Sequence, residues 1–174
     1  MQNLNLTNWV LAGWLVIVII RRQLAPRVIQ FKANFFILIM LMGMASIGDA
    51  LTKQQVTITS SQAVIFGCLS LISAVGFALL RAWSYHFWVN DAGLVMRQGN
   101  WLTLLWWVLS LVGHLAVDQL WTGSSVTLLL YVGVTLGVQR GWVWWLARRT
   151  YPAALKANQQ LQTERHQRRR SRDD

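Results

Sequence analysis

The sequence predicts an all-α membrane protein, a bundle of about five transmembrane helices, and three observations carry that expectation. Its 174 residues are 55% hydrophobic and only 13% charged, too apolar for a soluble domain of this size. Five apolar stretches reach the roughly 17–20 residues that a helix needs to cross about 30 Å of hydrocarbon. Eleven tryptophans against three tyrosines and two prolines suit membrane interfaces, where the indole ring is buried in lipid and its N–H stays wet.

The predicted helices run near 4–20, 34–51, 61–80, 101–120 and 126–146. The first opens on Asn5, Thr7 and Asn8 and ends in Arg21 and Arg22. With no positively charged segment ahead of it, it reads as a retained span rather than a cleavable signal. The last is interrupted by Gln139 and Arg140. Basic residues alternate between the loops. Arg21, Arg22, Arg27 and Lys32 fill the first loop, Lys53 stands alone in the second, Arg81 and Arg97 flank the third, and the fourth has none before Arg148, Arg149 and Lys156. Retention of Lys and Arg on the cytoplasmic side then puts the N-terminus outside and the C-terminus inside. A four-span reading breaks this alternation. Trp83, Trp88, Trp101, Trp142, Trp144 and Trp145 fall at the same predicted inner interface, and Trp9 and Trp121 at the outer one.

Between the third and fourth helices the sequence predicts a short cytoplasmic β-hairpin. Tyr85, Phe87 and Val89 alternate with His86 and Trp88, a turn cluster of Asn90, Asp91, Ala92 and Gly93 follows, and a second apolar run begins at Leu94. A lone hairpin is marginal, so it has to lean on the bundle or the headgroup layer. The chain thus divides into a transmembrane helical bundle, 1–149, and a basic polar cytoplasmic tail, 150–174, expected to be weakly helical or disordered for want of an apolar face.

The net charge of +10 is carried in blocks between apolar runs rather than interleaved with aromatics over a soluble face, which argues against nucleic acid as a partner. The expected partners are the lipid bilayer, with anionic headgroups met by Arg168, Arg169, Arg170 and Arg172, and a membrane protein or a second copy of the chain. Cys68 is the only cysteine, so no intrachain disulfide forms. His86, His114 and His166 fall on separate segments and no metal site or cofactor is expected. Asn5-Leu6-Thr7 matches a glycosylation sequon, a pattern too short to mean much alone.

Ionisable residues inside membrane helices are functional suspects. Asp49 lies near the outer end of the second span, and His114 and Asp118 are one turn apart near the outer end of the fourth. Two readings stand. In one, Asp49, His114 and Asp118 converge on a polar site for proton transfer or cation binding. In the other, each carboxylate reaches water at the surface and His114 makes an ordinary structural bond. Arg140 reads as a side chain snorkelling to the inner interface. Gly133, Gly137 and Gly141 recur every four residues, as do Ser70, Ala74 and Ala78, and each set offers a smooth face for close helix approach, within the bundle or in a homodimer.

The order of features from Arg81 to Arg149 resembles the CcdC-like family of small bacterial membrane proteins. The shared pieces are an extended cytoplasmic stretch with an Asp and Gly turn (Asp91, Gly93), a basic residue soon after (Arg97), an apolar span, a short loop, and a last span with a Gly and basic ending (Gly137, Arg140, Gly141, Arg148). The resemblance implies a multi-pass protein of the bacterial cytoplasmic membrane and no site residues. No nucleophile, phosphate-binding loop or metalloprotease motif is present. The expected function is therefore a non-enzymatic accessory or partner component, with a small-solute or proton-coupled transporter using Asp49, His114 and Asp118 as the alternative.

Overall fold

The computed structural model describes residues 20, 21, 23–31, 33–53, 59–122 and 126–173, with the side chains of 119–122, 165, 166 and 168–173 left aside. Most of the first predicted span, Trp9, the Asn5-Leu6-Thr7 sequon, and the side chains of Trp121, His166, Arg168, Arg169, Arg170 and Arg172 lie outside what is described.

Among the described residues, five helices and three short strands follow in the order β1 (Arg27–Val28), α1 (Ala33–Thr52), α2 (Ser60–Trp83), β2 (His86–Val89), β3 (Val95–Gln98), α3 (Trp101–Thr122), α4 (Leu128–Thr150) and α5 (Pro152–Asp173). Three helices among the described residues, α1, α2 and the Trp101–Asp118 part of α3, are long and apolar enough to cross a membrane. Their outward side chains, among them Phe35, Leu38, Ile65, Ile72, Val108 and Val112, are exposed and apolar. In water such surfaces would drive aggregation; in hydrocarbon they are at rest.

The fifth predicted span is α4, and its place explains its polarity. It runs along α1 on one side and α2 on the other, so Gln139 and Thr135 are buried in protein rather than in lipid. One stripe of α4, Tyr131, Thr135, Gln139, Val143 and Ala147, is buried at helical four-residue spacing. Gly133, Gly137 and Gly141 form another stripe, of which the first two meet α1 and the third lies against Phe31 just before it. A Cβ on Gly133 would stand 3.0 Å from Met40 Cγ, and one on Gly137 would stand 3.2 Å from Met40 Cε. In return Gly43 of α1 lies against the backbone of Leu130. The glycine face is thus used inside the bundle. Ala74 and Ala78 of α2 are likewise buried.

Thr59 caps α2, accepting from the Gln62 amide at 3.4 Å while Gln62 Oε1 accepts from the Thr59 amide at 3.2 Å. At its other end Ser84 closes the helix by donating to Arg81 O at 2.8 Å and meeting Thr103 Oγ1 at 2.7 Å, which ties the start of α3 to the end of α2.

The hairpin is present, with Gly93 at φ 72° in the turn and the Leu94 amide donating to Asn90 Oδ1 at 2.9 Å. It is larger than the sequence suggests. β1 pairs antiparallel with the open edge of β3, giving the order β1-β3-β2 with Arg27 opposite Arg97. The tail also departs from expectation. It is helical, opens on Pro152 at a first-turn position that suits proline, and has a buried face made of Leu155 and Asn158. Asn158 Oδ1 accepts from the Val95 amide at 3.0 Å, and its Nδ2 donates to Ile29 O at 3.1 Å and Val95 O at 3.0 Å. Ile29, Ala82, Tyr85, Val95, Val143, Ala147 and Leu155 form the core beneath the sheet. The hairpin therefore leans on β1, on the bundle and on α5.

Candidate functional site

The sheet closes one end of the bundle, and the predicted polar site lies at the far end. His114 and Asp118 face inward from α3, 5% and 0% exposed. Thr127, at the start of α4, joins them: its hydroxyl donates to Asp118 Oδ1 at 2.8 Å and lies 3.1 Å from His114 Nε2. A hydroxyl has one proton to give. Because it goes to the carboxylate, Thr127 oxygen must accept from the imidazole, which fixes the His114 proton on Nε2. The relay runs from imidazole to hydroxyl to carboxylate.

The His114 ring stacks on Tyr131, centroids 3.8 Å apart at 9°. The Tyr131 hydroxyl in turn meets Ser110 at 2.8 Å and Ser73 at 3.0 Å, so α2, α3 and α4 share one polar knot inside an apolar bundle. Each member bonds to a partner on another element, the arrangement that makes polar groups tolerable at this depth. Beside the knot lies a cavity of about 380 Å³ between α1, α2 and α4, apolar except where His114, Thr127, Tyr131 and Ser70 reach it. Leu51 and Leu71 line it and are also exposed on the outer surface of the helices, so it opens sideways between α1 and α2. The site can hold an apolar group against an imidazole whose Nε2 carries a proton.

Asp49 does not join it. Its Oδ2 pairs with Lys53 Nζ at 2.8 Å, and both side chains are 59% exposed. The sequence brought Asp49, His114 and Asp118 to one end, but only His114 and Asp118 come together. Lys53, four residues after Asp49, draws its carboxylate outward along the helix surface. Thr127, Tyr131, Ser73 and Ser110 were missed; the available signal was the recurrence of hydroxyl side chains in apolar spans. Among the described residues no group of three His, Cys, Asp or Glu side chains is placed to hold a metal ion.

A second feature lies at the sheet end. Arg81 and Arg97, counted from sequence as loop charges, are 0% and 5% exposed. Arg81 belongs to the last turn of α2, where its Nε donates to Phe77 O at 3.1 Å and its Cζ sits 4.4 Å from the Trp107 ring centroid. Arg97 Cζ sits 4.8 Å over the Tyr85 ring. Burial lowers the Arg97 pKa below its ordinary value, Tyr85 raises it in part, and Arg27 opposite lowers it further. The Tyr85 hydroxyl accepts from Gln139 Nε2 at 2.8 Å and donates to Gln23 Oε1 at 3.2 Å.

No protein-family model, curated protein or solved structure matches the chain.

Proposed function

We propose that the chain is a multi-pass protein of a bacterial cytoplasmic membrane, with the sheet and α5 inside, and that it works as a non-enzymatic accessory component for another membrane protein. What supports this reading is α5. Its first turns are clamped to the sheet through Leu155 and Asn158, while Gln159, Gln160, Thr163, Glu164 and Gln167 beyond them are exposed. An apolar bundle thereby carries a fixed helical arm whose end is rich in arginine. Arg168, Arg169, Arg170 and Arg172 suit an anionic membrane surface or an acidic face on a partner. Trp83 and Trp101, 65% and 73% exposed, ring the same end at a depth that suits the headgroup layer. The likeness to the CcdC-like family points to the same membrane.

The test is affinity purification from native membranes in mild detergent, comparing the full chain with one lacking 159–174. A membrane protein recovered with the full chain and lost with the truncation is the expected result. Recovery of the chain alone in both cases contradicts the proposal. The relay of His114, Thr127 and Asp118 beside the cavity favours the second reading, a carrier. That reading requires His114→Gln to abolish the cellular phenotype of the intact chain at unchanged membrane abundance, and normal function in that variant would sink it.

A further inference from the structure

Helices α1 and α2 both pack along α4 rather than on each other, which leaves a cleft between them. The side chains that would fill it are small. Ala50 of α1 and Ala63, Gly67, Ser70 and Ala74 of α2 stand on its walls, and a Cβ added at Gly67 would meet nothing within 4 Å. Interiors are normally close-packed, yet here a cavity of about 380 Å³ stays open beside His114. Its size falls within the roughly 300–1,000 Å³ of small-molecule sites. In a membrane its sideways opening, flanked by Leu51 and Leu71, faces hydrocarbon, so a molecule dissolved in the bilayer enters without crossing water.

Two polar groups on the cavity wall are left over. The His114 ring is 5% exposed and its Nε2 is engaged with Thr127, whereas Nδ1 on the opposite side of the ring makes no hydrogen bond among the described residues. Ser70, half-buried on the same cavity, makes none among them either. The other two are committed, Thr127 to His114 and Asp118, and Tyr131 to Ser73 and Ser110. A polar group enclosed without a partner is costly, so a ligand that supplies one gains both affinity and orientation. The head group that fits is a hydroxyl. It donates to a bare Nδ1, accepts from a protonated one, and pairs with Ser70 in either sense. An ether or a carbonyl can only accept. An anionic head has no counter-charge here, because the lining holds no lysine or arginine and the Asp118 carboxylate stands just behind Thr127.

We propose that this cavity binds a neutral membrane lipid by its hydroxyl head, held between His114 Nδ1 and Ser70, with the apolar body leaving between α1 and α2. The hydroxyl comes from a long-chain alcohol or from a diacylglycerol; the site chemistry is the same. The site rests on the membrane placement proposed for the bundle and on nothing about a protein partner.

The experiment uses the full chain, purified in a maltoside detergent. Thermal unfolding is followed on adding oleyl alcohol, dioleoylglycerol or oleyl methyl ether, the last having the same chain as the alcohol without its O–H. The variants are Gly67→Leu, which puts a side chain into the open space of the cavity, and Ser70→Ala, which removes one oxygen. A hydroxyl lipid at a hundredfold excess over Kd is expected to raise Tm by roughly 5–10 °C in the native chain. With the ether, or in either variant, the rise is expected to fall to about half of that or less. A shift with oleyl alcohol, alone or together with dioleoylglycerol, assigns the site to the hydroxyl of a single chain; a shift with dioleoylglycerol alone assigns it to the diacylglycerol. No shift with either hydroxyl lipid, an equal shift with the ether, or a full shift retained in either variant overturns the proposal. Ser70→Ala keeps the test open should Gly67→Leu fail to fold. The membrane placement is read separately, by labelling in intact spheroplasts, so its failure and a failure of lipid binding are told apart.

Discussion

Asn158→Leu is expected to destabilise the protein by about 2–5 kcal/mol and to release α5 from the sheet. The residue is 1% exposed and makes three bonds to the backbone of Val95 in β3 and of Ile29 just after β1. Leucine has similar size but offers neither donor nor acceptor. The Val95 carbonyl keeps its bond from the Ile29 amide at 3.1 Å, whereas the Val95 amide and the Ile29 carbonyl are left buried and unpaired. Each such group costs about 1–3 kcal/mol. Thermal unfolding in detergent gives the stability loss, and limited trypsin digestion gives the local one, with cleavage at Lys156 accelerated in the variant. Digestion at the native rate would mean that α5 is held by something other than this side chain.

Gly43→Val is the second large effect. A Cβ at this position would stand 2.5 Å from the Leu130 amide nitrogen and 2.6 Å from its Cα, so the obstacle is backbone rather than a side chain that can turn aside. The helices α1 and α4 must move apart, which also loosens Gly133 and Gly137 from Met40. Overpacking of this kind costs about 3 kcal/mol. Gly48 is the internal control. It lies on the same helix with nothing within 4 Å of the position of its Cβ, so Gly48→Ala removes backbone freedom without a clash and is expected to leave stability unchanged or raise it by up to about 1 kcal/mol. Equal unfolding temperatures for the two variants would contradict close packing of α1 on α4.

The helices were legible because membrane-length apolar runs leave few alternatives. The stretches 34–51, 61–80, 101–120 and 126–146 correspond to α1, α2, α3 and α4, with ends displaced by up to four residues where capping groups such as Thr59 and Ser84, rather than hydropathy, set the boundary. The hairpin was legible because alternation and a glycine turn coincide at 85–93. β1 was not, since two residues have no period; Arg27 and Val28 are strand only because β3 offers them an edge. The docking of α5 escaped notice for a similar reason: Leu155 and Asn158 form too small a face to register as amphipathic.

The site was half legible. Spacing put His114 and Asp118 on one face of α3, but nothing local tells that Thr127 closes the relay or that Lys53 takes Asp49 away from it. The burial of Arg81 and Arg97 escaped notice because a loop-charge rule counts sign alone.

The central claim is a bundle that crosses the membrane with the sheet end inside. It is tested most directly by labelling with a membrane-impermeant maleimide in a Cys68→Ser background, using Lys53→Cys at one end and Asp91→Cys in the hairpin turn at the other, both native side chains being exposed. In intact spheroplasts the Lys53→Cys chain should be labelled, and the Asp91→Cys chain only after permeabilisation. Labelling of both before permeabilisation, or of Asp91→Cys alone, would contradict it.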